Sequence, residues 1–245
     1  MLKSSIFLLL LTGTVWLTSC SNFRFEKGNG DIIKQNIDVS DFSEINVSGF
    51  YEVTLTPGAS EEVIIETDEN LFDFIEVYVR QNRLVISSKE SLKSDFGIKV
   101  NVIYNNLESI SSSGASIIKT DGTLKAPDVE IAMSGAGLIE MDVECKVLSL
   151  NLSGAGMIKL SGRTHKQFLD LSGAGSVDAY AFRSDECSVG VSGVGAAKVY
   201  VNDRLNATVS GIGGIQYRGN PSEVHQDVSG VGKVKKDEKY NEPVI

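Results

Sequence analysis

The stretch IAMSGAGLIE at residues 131–140 returns as LNLSGAGMIK at residues 150–159, and this repetition decides the fold. At its centre is the phrase Ser-Gly-x-Gly. Copies or close relatives of the phrase begin at Ser113, Ser134, Ser153, Ser172, Ser192, Ser210 and Ser229, at intervals of 21, 19, 19, 20, 18 and 19 residues. A unit this short cannot enclose a core of its own and has to bury its apolar side against its neighbours. The period therefore predicts a solenoid.

Apolar residues alternate with polar or small ones on both sides of the Ser-Gly pair. The position five after the serine holds Ile118, Ile139, Ile158, Val177, Ala197, Ile215 and Val234. Such period-two alternation is that of a strand with one buried face. We predict an all-β fold, a single-chain parallel β-solenoid with coils of about 19 residues, in which two short strands per coil meet at a Ser-Gly corner. Right-handed coiling is the default for such connections.

Glycine follows the serine in every copy and recurs two places later in all but the first, where Ser116 replaces it. This pattern indicates a turn that needs positive φ, or a backbone that passes close to its stacked neighbour. One glycine-rich turn suggests a phosphate cradle, but seven copies at a fixed period indicate architecture. We expect the serine hydroxyls to link neighbouring corners rather than to act as nucleophiles. The corners assigned this structural role include Ser134, Gly135, Ser153, Gly154, Ser172, Gly173, Ser192 and Gly193.

Charged residues six places after the serines alternate in sign along the chain. The position holds Lys119, Glu140, Lys159, Asp178, Lys198, the neutral Gln216 and then Lys235. If coils stack in parallel about 4.8 Å apart, opposite charges become neighbours, and each pair contributes about 0.2–1 kcal/mol. A hairpin meander would place equivalent residues two strands apart. The alternation therefore favours parallel coils.

The first residues have the layout of an export signal. Lys3 precedes an apolar run from Ile6 to Trp16, and Leu17-Thr-Ser-Cys20 ends that run with small residues before a cysteine. This arrangement resembles a bacterial lipoprotein signal. The resemblance implies lipidation of Cys20 and a membrane partner, and Ser21, in place of the Asp that retains lipoproteins in the inner membrane, favours the outer membrane. The alternative is an ordinary secretory signal that leaves Cys20 free or removes it.

Five segments are expected along the chain. They are a lipoprotein signal peptide at residues 1–19, a tether at 20–30, an N-terminal β region at 31–106, a solenoid of Ser-Gly-x-Gly repeats at 107–232 and a charged tail at 233–245. The N-terminal region contains a degenerate coil around Ile45-Asn-Val-Ser-Gly49. It also contains predicted strands, a helical turn at 68–74 and a hairpin turn at 81–82. Such atypical units cap a solenoid.

A family resemblance rests on residues in both parts of the chain. Phe42-x-x-Ile45-x-Val47-Ser48-Gly49, Leu107-x-x-Ile110 and the repeated Ser-Gly-Ala-Gly resemble the head GIN domain family of autotransporter adhesins over residues 38–220. That resemblance implies an exported cell-envelope β-solenoid with no established activity. The chain has no literal Gly-Ile-Asn, so no binding residue is carried over from the family.

Composition argues against several classes of protein. Removal of residues 1–19 takes away one Lys and no acid, which leaves 23 − 1 = 22 basic against 32 acidic residues, a net charge of −10. Such a field repels nucleic acid. Cys145 and Cys187 lie at different repeat offsets and are expected to be free thiols, and His165 and His225 are the only histidines. Without ligand spacing among these residues, neither a metal nor another cofactor is expected.

An enzyme, an adhesin and an accessory subunit are the functional hypotheses. Parallel β-helices include carbohydrate-active enzymes, but His165 has no evident acidic partner in the sequence. Tyr180, Tyr200 and Arg218 lie eight residues after successive serines and are expected to stack as an outward strip for a glycan or a surface protein, with cross-coil packing as the alternative. We predict a lipid-anchored envelope module for adhesion or surface structure, without catalytic activity. The alternatives are a carbohydrate-active β-helix enzyme and a sensor or accessory subunit of an envelope system.

Overall fold

The computed structural model describes residues 25–238 and is nearly all β, with 68% strand. Its elements are twenty strands and one 3-10 helix. The strands are β1 Phe25–Lys27, β2 Ile32–Ile37, β3 Glu44–Val47, β4 Glu52–Pro57, β5 Glu62–Asp68, β6 Ile75–Arg80, β7 Arg83–Ser88, β8 Ser91–Lys93, β9 Lys99–Tyr104, β10 Ser109–Ser112, β11 Ile117–Lys125, β12 Asp128–Met133, β13 Leu138–Glu144, β14 Val147–Leu152, β15 Met157–Leu171, β16 Ser176–Val191, β17 Val194–Val209, β18 Ile212–Arg218, β19 Glu223–Val228 and β20 Val231–Lys236. The 3-10 helix spans Glu69–Phe74.

Parallel strands form two ladders that meet at the Ser-Gly corners. The ladder before the corner runs through β3, β10, β12, β14, the second halves of β15, β16 and β17, and β19. The ladder after the corner runs through β4, β11, β13, the first halves of β15, β16 and β17, then β18 and β20. Equivalent residues of successive coils pair directly, as Ile139 does with Ile158. The predicted parallel β-solenoid is confirmed, with about 7 turns of about 19 residues.

Close approach of the backbone, not positive φ, explains the corner glycines. The seven glycines directly after the corner serines have no left-handed φ. A Cβ on Gly154 would lie closer than 3.0 Å to the carbonyl oxygen of Gly135, and a Cβ on Gly173 equally close to that of Gly154. Backbone bonds join the corners, such as that from the Ala155 N–H to the Gly135 carbonyl at 3.0 Å. Within residues 25–238 the expected hydroxyl links between corner serines do not form, and those serines are exposed.

The column of alternating charges confirms the register. Each member pairs with the next across neighbouring coils, from Lys119 with Glu140 through to Gln216 with Lys235. Lys119 Nζ lies 3.7 Å from Glu140 Oε2, and the side chains are 53% and 48% exposed. Exposed pairs of this kind stabilise a fold by less than about 1 kcal/mol. Most of the stability therefore comes from the apolar core between the ladders, where Ile139 and its equivalents from Ile118 to Ile215 are almost fully buried.

The N-terminal region closes the stack with antiparallel strands. β5 pairs with β2 and β9, and β6 and β7 form a hairpin whose turn is Gln81 (φ 52) and Asn82 (φ 64), as predicted. The 3-10 helix crosses from β5 to β6 and buries Leu71 completely. β3 and β4 form the expected degenerate coil, since β10 and β11 stack on them. The N-terminal region and the repeats therefore share one stack.

Two segment boundaries differ from expectation. Residues 25–27, assigned to the tether, form β1 and pair with β8. Residues 233–236, assigned to the charged tail, continue β20 and pair with β18 in register. In both cases charged side chains outnumber apolar ones, and the backbone pairing of a strand does not depend on their hydropathy. The signal peptide at 1–19, Cys20, the start of the tether and residues 239–245 lie outside the described residues.

Candidate functional site

Side-chain size changes at the corner in the last three repeats. The position two after the corner serine is alanine in the first four repeats and then becomes Val194, Ile212 and Val231. These three side chains pair in register and are 59%, 57% and 76% exposed. They form one exposed aliphatic row along the corner, which we call the apolar ridge. A contiguous exposed apolar surface of this kind is typical of an interaction site.

The position four after the serine changes in the opposite direction. It holds Ile117, Leu138 and Met157 in the first three repeats and then Ser176, Ala196 and Gly214. Because these small residues stand beside the ridge, they leave a groove of about 740 Å³ on the outer face of the after-corner ladder. Ala196, Gly214 and Val231 are among its lining residues. We call this the C-terminal groove.

The opposite wall of the C-terminal groove is polar and carries amines. Lys198, Gln216 and Lys235 continue the charged column along this wall, and Lys233 stands in the row of the small residues. Lys198 Nζ lies 3.2 Å from Asp178 Oδ2, so part of its charge is compensated. Three ammonium groups around an apolar floor give the groove a positive, amphipathic character in a chain whose net charge is negative.

The predicted Tyr180, Tyr200 and Arg218 strip does not form one outward column. A bulge between Ala179 and Arg183 shifts the register, so Tyr200 pairs with Arg183 on one side and Arg218 on the other. Tyr200 is 4% exposed, with the Arg183 guanidinium 4.9 Å from its ring centroid. The prediction of an exposed side chain was wrong for this residue because the extra residues of β16 place Arg183 beside Tyr200 and over its ring.

Tyr180 and Arg218 do meet, but they pack on each other. The Arg218 guanidinium lies 3.8 Å from the Tyr180 ring centroid, and Arg218 Nη2 lies 2.9 Å from Asp237 Oδ2. The Tyr180 hydroxyl donates to Gln216 Oε1 at 3.2 Å. Burial, with Asp237 nearby, raises the pKa of Tyr180 to about 12, so the phenol stays protonated. Arg218 thus covers one face of the Tyr180 ring, and the cluster supports the polar wall of the groove.

His165 has an acidic partner that the sequence did not reveal. It lies on β15, and its Nδ1 is 2.9 Å from Asp185 Oδ2, which belongs to the next coil. Asn202 donates to the other oxygen of Asp185 at 3.2 Å. The hydrogen bond from His165 holds the pKa of Asp185 below its ordinary value. The histidine and carboxylate side chains are 57% and 42% exposed, which is the environment of a surface pair between coils.

The remaining chemically active groups are held in the protonated or structural state. Cys145 and Cys187 are free, as predicted, and burial raises the pKa of both thiols. Across residues 25–238 no cluster of three or more His, Cys, Asp or Glu side chains has a geometry suited to a metal ion. In the same range no helix is long and apolar enough to cross a membrane.

The sequence contains a signal for the groove, but that signal is not part of the shared repeat pattern. The pattern consists of what successive coils have in common, whereas the groove arises where they differ. The exchange of small and large residues between two adjacent outward positions, Ala174 to Val194 and Met157 to Ala196, is visible in the printed sequence. Its consequence requires the register, because only stacking turns separate substitutions into one surface.

Comparison with known proteins places the chain in a family. The profile of the family described as putative auto-transporter adhesin, head GIN domain, matches residues 41–221, and the chain therefore belongs to that family. No curated protein matches the chain.

Solved structures share the fold at low sequence identity. A putative adhesin from Bacteroides fragilis has a TM-score of 0.83 at 22% identity, over 86% of this chain and 100% of that one. A putative lipid binding protein from Parabacteroides distasonis has a TM-score of 0.73 at 21% identity, over 88% of this chain and 100% of that one. A putative adhesin from Parabacteroides merdae has a TM-score of 0.68 at 20% identity, over 87% and 99% of the two chains. These likenesses establish the shared solenoid fold.

Proposed function

We propose that this chain is a lipid-anchored adhesion module of the cell envelope that binds a protein partner through the C-terminal groove, without catalysis. The observation that carries the proposal is the apolar ridge beside the groove. Val194 and Ile212 expose aliphatic side chains in the two coils in which the neighbouring row holds Ala196 and Gly214, and Val231 of the next coil lines the groove. Such a pair of changes gives a surface with both a projecting wall and a recess.

The chemistry of the groove favours a protein segment that carries apolar and acidic side chains. Aliphatic groups of a partner would be buried against the ridge, and carboxylates would face Lys198, Lys233 and Lys235. A glycan is the weaker candidate because the face of Tyr180 that would stack on a sugar is covered by Arg218, and Tyr200 is buried. The family's description as adhesins agrees with a binding role.

The absence of catalysis in this proposal rests on the state of the candidate groups. His165 and Asp185 form a pair without a nucleophile among their described partners, and burial keeps the two thiols protonated. Asp178 has its charge compensated by Lys198. A screen for release of reducing sugar ends from envelope and host polysaccharides should therefore show no activity. Cleavage that is lost on mutation of an acidic residue would establish the carbohydrate-active alternative instead.

Adhesion of cells that display the chain tests the binding role. Ile212→Ser combined with Val231→Ser should reduce adhesion to plates coated with cell-surface extract at least tenfold, because it removes two of the three aliphatic side chains of the ridge. Phe168→Ser is the matched control, since Phe168 is 48% exposed on the other ladder. Protease treatment of the coating should abolish adhesion. Loss only after periodate treatment would identify a glycan, loss only after lipid extraction would identify a lipid, and adhesion equal to that of cells lacking the chain would overturn the proposal.

The anchor and its orientation are tested separately. Cys20→Ala should release the protein in soluble form or leave the precursor unprocessed, and unchanged mature mass and membrane fractionation would contradict lipidation. Protease added to intact cells should remove the solenoid, since an adhesion module has to face outward from the outer membrane. Resistance in intact cells with cleavage after permeabilisation would place the chain on the periplasmic side and favour the accessory-subunit alternative.

A further inference from the structure

A second exposed apolar surface lies at the opposite end of the stack. Phe25 and Phe50 form the rims of a cleft of about 280 Å³, and Leu92 and Ile98 are among the residues that line it. The two phenyl rings are 52% and 59% exposed, whereas Leu92 and Ile98 are 6% and 4% exposed. The cleft therefore has a buried aliphatic floor between two projecting aromatic rings. We call this the aromatic face.

The fold fixes both rings of the aromatic face. Phe25 lies on β1, where it pairs with Ser91 of β8. Phe50 follows Gly49 at the corner of the degenerate coil, the same corner position that carries the apolar ridge at the other end of the stack. Gly49 adopts a φ of +140, so the chain accepts a backbone conformation that few side chains allow in order to make this corner. The rings are thus held on two separate elements rather than on one loop.

A third aromatic ring and several amines lie around the aromatic face. Phe96 is a further partly exposed ring, 38% exposed, with the Lys99 ammonium 3.8 Å from its centroid. Lys27 and Lys93 belong to β1 and β8 beside the cleft, and Lys27 Nζ is 3.9 Å from Asp95 Oδ2. Aromatic rings at the headgroup level, flanked by amines that reach lipid phosphates, are the combination by which interfacial segments bind membranes.

The distance along the chain connects this face to the anchor. Phe25 lies five residues after Cys20, and five extended residues span at most about 18 Å. A lipid on Cys20 therefore keeps the aromatic face within that distance of the bilayer. This step rests on the lipidation included in the proposed function.

We propose that the aromatic face rests on the bilayer surface, with Phe25 and Phe50 at the boundary between headgroups and acyl chains. Ile212 occupies the same corner position six coils further along the stack, so with the stack axis along the membrane normal the ridge stands further from the membrane than Phe50 does. At about 4.8 Å per coil, the separation along the stack is about 29 Å. The solenoid thus serves as a spacer that presents the C-terminal groove beyond the lipid headgroups.

Single-tryptophan variants of the lipidated chain test the docking. Trp16 is the only tryptophan and belongs to the signal peptide that lipidation at Cys20 removes, so Phe50→Trp in the lipidated chain reports on the aromatic face alone. The lipidated protein is reconstituted into phosphatidylethanolamine and phosphatidylglycerol vesicles that contain phosphatidylcholine brominated near the top of its acyl chains. Fluorescence of the Phe50→Trp variant should be quenched by at least half and lie at shorter wavelength than in detergent. Phe168→Trp is the matched control and should be quenched by less than a tenth.

Vesicle flotation separates the two ways in which the proposal can fail. If the chain floats with the vesicles and the Phe50→Trp variant is quenched no more than the Phe168→Trp control, the anchor stands and the docking is wrong. If the chain does not float, lipid anchoring is wrong and the docking falls with it. Phe25→Trp gives a second reporter in case Phe50→Trp does not fold, and the same quenching is expected from it.

Discussion

The two ends of the stack are built differently. At the N-terminal end the 3-10 helix crosses between the ladders and buries Leu71, and antiparallel strands β2 and β6 lie outermost. At the C-terminal end the outermost strands β19 and β20 are parallel continuations of the repeat, and every side chain of β19 is exposed. Within the described residues 25–238, nothing covers the inward positions of the last coil, such as Val228, which is 43% exposed.

The difference between the two ends shows that the repeat extends the stack but does not end it. Identical corners allow one coil to stack on the next, because two columns of glycine let carbonyl groups approach closely. The same regularity leaves every coil with an unsatisfied face for another coil. Only departure from the repeat ends the stack, which the N-terminal region achieves with a change of strand direction and a helix. Irregular sequence is therefore functional at a cap, whereas in the coils it costs stability.

The largest effect is expected from a side chain placed in a corner column. Gly154→Val would put carbon atoms into the space of the Gly135 carbonyl, and should destabilise the fold by about 3 kcal/mol or more in urea unfolding. The matched control is Gly190→Val, because Gly190 lies on β16 with nothing within 4 Å of a built Cβ and without a left-handed φ. Comparable losses for the two variants would show that the corner is not the constraint.

The next largest effect concerns one repeat position, compared between an interior coil and the terminal coil. Val209 and Val228 both precede a corner serine and pair with each other, but Val209 is 0% and Val228 43% exposed. Val209→Ala should lower the free energy of unfolding by about 2 kcal/mol, and Val228→Ala by less than about 1 kcal/mol. Equal losses in thermal and urea unfolding would show that the terminal coil is covered.

A smaller effect is expected from the carboxylate that binds the first segment of the N-terminal cap region. Asp68 is 3% exposed and accepts hydrogen bonds from Ser94 Oγ at 2.5 Å and from the Gly30 N–H at 2.7 Å. Asp68→Ala should destabilise the protein by about 1.5 kcal/mol, since both hydrogen-bond donors then lose the charged group that accepts from them. Unchanged stability would mean that the segment around Gly30 is not held by this contact.

The same carboxylate makes the stability of the N-terminal cap region depend on pH. The hydrogen bond from Ser94 holds the pKa of Asp68 below its ordinary value of 3.8. Because the folded-state pKa is lowered, its contribution is fully present above the unfolded pKa and is lost as pH falls through the folded pKa. The stability difference between the wild type and Asp68→Asn should therefore be constant from pH 7 to about pH 5 and shrink below about pH 4. A difference that grows on acidification would contradict this sign.

The smallest effect concerns the charged column. Glu140 faces Lys119 and is 48% exposed, so Glu140→Ala should change the unfolding free energy by well under about 1 kcal/mol, and added salt should reduce even that. A loss as large as that of Gly154→Val would show that ion pairs rather than corners hold the coils together.

The sequence predicted the stack well because every copy of the repeat supports the same inference. Lys119 through Lys235 occupy the expected column, and Gly49 marks the degenerate coil where it was expected. Prediction failed where the position in the repeat does not fix the neighbours of a side chain. Tyr200 lies opposite a bulge of β16, and the partner of His165 lies one coil away with no periodic signal. The strand β1 has only three residues, too few to show an alternation, so only its pairing with β8 reveals it.

Amide hydrogen exchange measured strand by strand tests the difference between the two ends most directly. A solenoid opens from its less protected end, since each coil contacts only its neighbours. We predict that β19 and β20 exchange fastest, that protection rises through β18 and β17, and that β5 and β9 in the cap exchange as slowly as the interior strands β13 to β15. Faster exchange in β5 and β9 than in β19 and β20 would contradict this difference between a capped and an open end.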